Sequence, residues 1–448
     1  MTDKAENALD LLQDLVGRAR RGGADAADAV WVEGIALSHA RRLGKTEKLE
    51  RSEGMDLGLR VLIGRQQAIV SSSDRSPAAL SELVERAVAM ARTVPPDPFC
   101  GLAEPEQIAR DWPHLDMLDP AEPAVEVLIE RARAAEEAAL AVDGVSNSEG
   151  AEAGWGRTNI ALVASNGFAG LHSGSSHGVS VAVLSGQGSA MERDYDFSSA
   201  VYAADLADPA AIGRSAGERA VKRLNPRKMP TCRCPVIFEP RVARSLLSHL
   251  MGAIAGPAIA RGTSFLKDRL GQAIFPAAIT IVDDPHRPRG LRSRPFDGEG
   301  IATRRRAFVD KGVLTSWILD LRSARQLGLA TTGHAGRGTS SPPSPSASNL
   351  WIEPGPQTPQ ELISDIKNGF YVTEMMGMGV NGVTGDYSRG AAGFWIENGA
   401  VAFPVSEMTV AGNLKDMFAR LVAANDLAFK AGVDSPTLRI DDMTVAGA

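Results

Sequence analysis

The stretch Gly393-Phe-Trp-Ile-Glu-Asn-Gly-Ala-Val-Ala-Phe-Pro-Val405 alternates apolar and other side chains on both sides of Asn398-Gly399. Asn-Gly accepts positive φ at both centres of a type I′ turn, whose twist matches that of the strands it joins. The pattern predicts a β-hairpin. Ahead of it, Gly385-Asp-Tyr-Ser-Arg-Gly390 reads as a Gly-dense polar loop, a setting in which binding groups commonly sit. Behind it, Asn413 caps a predicted helix, with Asp416 in the first turn and Leu414, Met417, Phe418, Leu421 and Val422 on one face.

Working outward, the chain from residue 234 onward is rich in glycine and short apolar runs. Residues 236–238 predict a strand, and 240–255 a helix with Val242, Leu246, Leu250 and Ala253 along one stripe. Further apolar runs cover 278–282, 313–319 and 349–352, with a Ser/Pro-rich loop over 338–348 between the last two. Many short strands with Gly and Pro turns predict an antiparallel barrel- or sandwich-like domain with inserted helices over 234–448.

Toward the N-terminus, 6–21 predicts a helix with Leu9, Leu12 and Val16 on one face, stopping at Gly22-Gly23. Residues 57–63 alternate, turn at Gly64-Arg65 and resume over 68–71, another hairpin. Ser76 and Pro77 open a second helix, with Leu80, Leu83, Ala87 and Val88 inward. A helix over 124–142 leads to strands over 158–164 and 178–184. The fold class is α+β: an N-terminal α/β sheet-and-helix domain over 1–125, a middle region over 126–233, then the strand-rich C-terminal domain.

The chain has 448 residues, 44% of them hydrophobic and 23% charged, ordinary values for a soluble protein of two or three domains. No stretch approaches the ~20 apolar residues of a membrane span, and Met1-Thr-Asp-Lys-Ala-Glu lacks the basic start and apolar block of a signal peptide. A cytoplasmic protein with no membrane association is expected. The net charge of −6 and the lack of a basic stripe beyond Arg304-Arg305-Arg306 argue against direct nucleic-acid contact. Cys100, Cys232 and Cys234 make no disulfide framework and read as reduced thiols.

Several apparent motifs fail on context. Gly174-Ser-Ser-His-Gly178 matches a nucleophile elbow, but that motif needs a strand before it and a helix after it, and 179–184 alternates like a strand. The string reads as a Gly/Ser-rich turn. His172 and His177 lie five apart with no carboxylate between them and read as solvent-facing imidazoles. Gly377-Met-Gly-Val-Asn-Gly382 matches a dinucleotide fingerprint without the helix that such a fingerprint must open. Asp283-Asp-Pro-His286 brings two carboxylates near an imidazole, yet Asp-Pro after an apolar run is ordinary turn chemistry.

Arg261-Gly-Thr-Ser-Phe-Leu, Ser348-Asn-Leu-Trp-Ile-Glu-Pro-Gly and Gly385-Asp-Tyr-Ser-Arg-Gly resemble the signatures of PmbA/TldE subunits of the TldD/TldE metallopeptidase family. The resemblance covers most of the chain. It implies cytosolic, zinc-dependent degradation or trimming of unfolded peptides by a TldD/TldE heterodimer with an enclosed chamber. In the TldD subunit a helix carries His-Glu-x-x-x-His, which supplies two zinc ligands and a base, followed by Gly-Thr-Ser. Aligned on Gly262-Thr263-Ser264, this chain has Leu247 and Gly252 at the histidine positions and Ser248 at the glutamate. Neither Leu nor Gly offers a lone pair to zinc.

The resemblance therefore implies a subunit with no catalytic residue and no metal of its own, zinc belonging to a TldD-like partner. Such a subunit completes the chamber, and self-association into a homodimer stays open. His249, on the same helix, reads as a core or cavity-facing histidine. His249, Arg261, Asp386, Tyr387, Ser388 and Arg389 are the candidates for lining the chamber or the subunit interface. Two alternatives stand beside this reading. One is a self-sufficient hydrolase using Asp283, Asp284 and His286. The other is a regulator of DNA gyrase, which the family's older "modulator of gyrase" label suggests and the acidic net charge disfavours.

Overall fold

The computed structural model describes the backbone of residues 2–447 and the side chains of residues 7–447. The first half builds one antiparallel sheet of six strands, in spatial order Gln66–Ser72, Lys45–Ile63, Ala26–Arg42, Val145–Ala164, Ala169–Ser185, Glu192–Ala200. Helices Thr2–Arg21 and Pro77–Ala91 cover one end of a single face, where Leu12, Leu57, Leu59, Val61, Leu83 and Ala87 interlock. Helices Val125–Leu140 and Pro209–Lys222 cover the other end through Leu128, Ala132, Val181 and Ile212.

The local rules hold at the second helix: Ser76 Oγ accepts from the backbone N–H of Ala79 at 3.3 Å, and Pro77 follows it. A boundary at 125 falls inside this layered unit, because Ala26–Arg42 pairs with Val145–Ala164 along fourteen residues.

The second half is organised by a closed ring. Strands Ala400–Asn413, Asp386–Glu397, Asn368–Met376, Cys232–Phe238 and Leu438–Ala446 pair in that order, and Ala400–Asn413 pairs back to Leu438–Ala446, making a five-stranded barrel. Closure removes exposed edges. The ring is not wholly antiparallel, since Asn368–Met376 and Cys232–Phe238 run parallel, joined by the long excursion between them. That excursion holds the helix Pro240–Ala253 and four strands of a second, five-stranded sheet, whose fifth strand, Val433–Asp434, comes from near the C-terminus. Val236, Phe238, Leu246, Leu250, Phe370, Trp395 and Ile440 form the core between helix and barrel.

The Asn398-Gly399 turn has φ of 48° and 80°, with Glu397 opposite Ala400, the two-residue hairpin read from the sequence. Three expectations are corrected. Residues 386–390 begin a strand instead of a loop, because Asp386 to Gly390 pair with Asn413 to Thr409. The last helix is only Leu414–Ala419; Leu421 and Val422 belong to the separate strand Leu421–Ala423. Of the run 313–319, only Val313–Leu314 is a strand.

The sheet's second face docks on the C-terminal half. Asp28 and Arg60, both buried, pair there, and Arg337 Nη1 reaches Asp28 Oδ1 at 2.6 Å. Beside them, a Cβ on Gly58 would stand 1.9 Å from the Thr339 carbonyl oxygen, so backbone meets backbone only because residue 58 has no side chain. Among the described residues no helix is long and apolar enough to cross a membrane.

Candidate functional site

Helix Pro240–Ala253 divides its residues sharply. Ala243, Leu246, Leu247, Leu250 and Ala253 are buried against the barrel, whereas Ser248 and Gly252 are exposed. A Cβ on Gly252 would meet nothing within 4 Å. The Gly262-Thr263-Ser264 segment folds back onto this helix: Ser264 Oγ donates to the Ala253 carbonyl at 2.6 Å and accepts from the N–H of Leu266. That tie fixes the distance between tripeptide and helix, which gives the sequence register a structural basis. At its three positions the helix presents an aliphatic chain turned into the core, an exposed hydroxyl and open space.

His249 lies at the edge of the buried stripe, half-buried, and faces the barrel strand Asp386–Glu397. Its ring meets that of Tyr387 edge-on, with centroids 5.9 Å apart and planes at 76°. Both are short of partners: His249 Nε2 and the Tyr387 hydroxyl are buried without a hydrogen bond. Burial lowers the His249 pKa, and the positive charge of Arg389 lowers it further. Burial pushes the Tyr387 hydroxyl up to about 12, against a pull from Arg389. The pair is therefore a neutral imidazole and a neutral phenol beside a fixed cation. This arrangement can hydrogen-bond a polar group but has no free carboxylate or second imidazole with which to hold a metal.

Of the six residues predicted to line the site, the fold brings three together: His249, Tyr387 and Arg389. Arg389 Nε donates to the Gly377 carbonyl at 2.9 Å, and the Ser388 N–H donates to Gly379, so this strand anchors the loop 377–385. Ser388 itself is exposed. Asp386 accepts from Thr384 Oγ1 and Asn413 Nδ2, bonds that hold its carboxyl below the usual carboxylate range and tie the strand end to the last helix. Arg261 is exposed where the short helix Gly256–Ala260 ends. Met376, at the end of strand Asn368–Met376, and Met378 and Val383 in the anchored loop expose apolar side chains, Met378 to 89%.

A cleft of about 250 Å³ runs from Arg389 along Val242 and Ser245 to strand Glu192–Ala200 of the first sheet. Its wall is an ion network that spacing in the sequence gave no means of finding. Arg223 reaches Glu374 at 2.5 Å, Glu192 at 3.5 Å and Asp194 at 3.6 Å. Arg241 pairs with Asp194 at 2.8 Å and stacks over Tyr195 at 4.8 Å. Burial raises the Glu192 pKa and Glu374 adds to the rise, while Arg223 opposes it. These residues come from four separate parts of the chain: Glu192 and Asp194 from one strand, Arg223 from the end of helix Pro209–Lys222, Arg241 from helix Pro240–Ala253 and Glu374 from strand Asn368–Met376.

The other candidates resolve into structural roles. Asp283 is fully buried and accepts from the backbone N–H of Ser348 at 2.6 Å and the Ser348 hydroxyl at 2.5 Å, with His334 Nε2 at 3.2 Å. Asp284 accepts from the N–H of His286, whose Nε2 meets Thr303 at 2.9 Å, the turn chemistry expected of Asp-Pro. His172 and His177 are not solvent-facing, and 174–178 is no turn. Both lie in strand Ala169–Ser185, with His177 2% exposed and 3.1 Å from Asp119, and His172 packed edge-on against Phe296. Among the described residues no three His, Cys, Asp or Glu side chains converge as metal donors.

Sequence profiles of the PmbA/TldA metallopeptidase domain 1, central domain and C-terminal domain match residues 27–91, 118–224 and 231–447. The chain is 38% identical to the metalloprotease PmbA of Escherichia coli O157:H7, over 99% of this chain and 98% of the relative. It is 36% identical to a metalloprotease PmbA homolog of Haemophilus influenzae, over 96% and 94%. A Bacteroides thetaiotaomicron crystal structure, provisionally described as a modulator of DNA gyrase, superposes with a TM-score of 0.90 at 28% identity, covering 98% of both chains. TldE from Thermococcus kodakarensis has the same fold, with a TM-score of 0.87 at 21% identity over 98% of this chain and all of that one. The Gly262-Thr263-Ser264 tripeptide tied to its helix, the five-stranded barrel and the full-length match together place this chain in the PmbA/TldD metallopeptidase family.

Proposed function

We propose that this chain is the subunit without metal in a cytosolic zinc-dependent peptidase, pairing with a TldD-like subunit that carries zinc and cleaves unfolded peptides. The observation that carries the proposal is the helix Pro240–Ala253. Leu247 is packed into the core, Ser248 offers one exposed hydroxyl, and Gly252 faces open space. No zinc fits there, because zinc at neutral pH needs several thiolate, imidazole or carboxylate donors at one point. His249 is the helix's one imidazole, and the Arg389 cation near it further disfavours a divalent ion.

What the chain contributes is binding and shape. His249 and Tyr387 offer unpaired polar atoms to a peptide amide or to a group of the partner, and Met376, Met378 and Val383 offer apolar surface. A neutral donor–acceptor pair with apolar neighbours suits backbone recognition, which tolerates many sequences. Reconstitution tests the reading: each purified subunit is assayed alone and mixed, on an unfolded peptide. Cleavage by the mixture that exceeds the sum of the separate rates supports it. Full cleavage by this chain alone, abolished by Asp284→Ala, would establish the self-sufficient hydrolase instead.

A further inference from the structure

Strand Lys45–Ile63 pairs with Ala26–Arg42 along one edge, but on its other edge Gln66–Ser72 covers only Leu57 to Ile63. Residues 45–56 therefore present an uncovered row of backbone donors and acceptors, and 45–54 are all exposed. An open strand edge is a template for another strand. In the middle of this charged edge stands Leu49, 53% exposed.

The order of charges along the edge selects what can pair with it. From Lys45 the chain reads Lys-Thr-Glu-Lys-Leu-Glu-Arg-Ser-Glu53. Laid antiparallel on a second copy of itself with Leu49 on the two-fold axis, Lys45 opposes Glu53, Thr46 opposes Ser52, Glu47 opposes Arg51, Lys48 opposes Glu50 and Leu49 opposes Leu49. In the regular part of the ladder the charges meet as opposites, Lys48 against Glu50 on both sides of the axis. Cross-strand partners must share a face, so the axis has to pass through a residue. An axis at Glu50 sets Glu47 against Glu53, and one at Arg51 or Lys48 sets a like charge on the axis itself.

An axis at Ser52 also pairs charges well, but it drives the hairpin turn Leu43-Gly44 opposite Arg60 and Val61, where Gln66–Ser72 already lies. With the axis at Leu49 the turn stops opposite Gly54 and Met55, just before that strand begins. A β-bulge leaves Glu47 as an extra residue, since Lys48 faces Ala40 and Thr46 faces Arg41. Beyond it the contacts of Glu47 and Lys45 rest on side-chain length instead of ladder geometry.

We propose that this edge is a homodimer interface: two copies pair strands 45–53 about a two-fold axis at Leu49, joining their six-stranded sheets into one. The surface is separate from the His249–Tyr387 site, so the inference does not depend on the peptidase reading. In each monomer Lys48 pairs with Glu50, and Arg51 with Glu53 and Glu122; dimerisation exchanges some of these contacts for intermolecular ones.

The test uses the full chain, with mass measured by light scattering and sedimentation. The wild type is expected to be a dimer that dissociates as salt rises. Lys48→Glu, and separately Glu50→Lys, shift it to monomer with an unchanged melting temperature, and the double exchange restores the dimer. Leu49→Cys forms an intermolecular disulfide on mild oxidation, because residue 49 faces itself, whereas Ser52→Cys does not. A wild-type monomer at all concentrations, or a dimer indifferent to Lys48→Glu, overturns the proposal. So does a chain monomeric alone whose pairing with the TldD-like subunit is lost in Lys48→Glu, which assigns the edge to that subunit.

Discussion

The imidazole of His249 stands edge-on to the ring of Tyr387, centroids 5.9 Å apart, and neither the His249 Nε2 nor the Tyr387 hydroxyl has a hydrogen-bond partner. A buried polar atom left unpaired costs stability, commonly ~1–3 kcal/mol. A pair kept at that cost suits a surface completed by something outside the chain. Tyr387→Phe is therefore expected to leave the melting temperature of this subunit unchanged or slightly higher, while lowering peptide cleavage by the reconstituted pair without changing its zinc content. Thermal melts and metal analysis on the same samples check it; a melting temperature several degrees lower would mean that the hydroxyl is bonded within the chain.

The histidines set an acid limit on stability. Burial, with the Arg294 charge in second place, lowers the His172 pKa to about 4, and burial likewise lowers those of His249 and His177. The folded values lie below the ordinary ~6.5, so the unfolded chain binds more protons in between. Stability is whole above that ordinary value and falls as pH drops toward 4, by up to ~3 kcal/mol from His172 alone. Denaturant titrations across this range should show a shallower acid decline in His172→Phe than in the parent.

Gly58→Ala should damage the contact between the two halves. Its Cβ would lie 1.9 Å from the Thr339 oxygen and 2.6 Å from the Thr339 carbonyl carbon, both backbone atoms that cannot rotate away. Overpacking of this kind costs ~1–3 kcal/mol. Faster limited proteolysis between the halves, with a lower melting temperature, is the expected readout.

Asp28→Ala should cost more, ~3–5 kcal/mol, because it strands Arg60 and Arg337 as buried charges. Burial alone would raise the Asp28 carboxyl, but Arg337 and Arg60 outweigh it and hold it below the usual range. Guanidinium unfolding of the purified variant measures the loss.

The sequence was legible where local chemistry and tertiary context agree. Asn398-Gly399, the Ser76-Pro77 helix start and the stripe of helix Pro240–Ala253 all took the expected form. It misled where polar residues alternate inside strands. Asp386 and Ser388 face outward while Tyr387 is buried, a period of two concealed by flanking glycines. The charged stretch from Lys45 to Glu53 has the composition of a loop and is a strand because Ala26–Arg42 pairs with it. At the site, His249 and the Tyr387 segment could be named from resemblance. The ion network of Arg223, Arg241, Asp194 and Glu374 could not, since its members lie on four segments and carry no shared spacing.

The division of labour between the two subunits turns on where the metal sits. Zinc analysis by mass spectrometry of each subunit purified alone, and of the reconstituted pair, is the most direct measurement. The expected result is no stoichiometric zinc in this chain alone, zinc in the TldD-like subunit, and one zinc per pair together with peptide cleavage. Stoichiometric zinc retained by this chain alone, with activity that follows it, would show instead that this subunit carries its own metal centre.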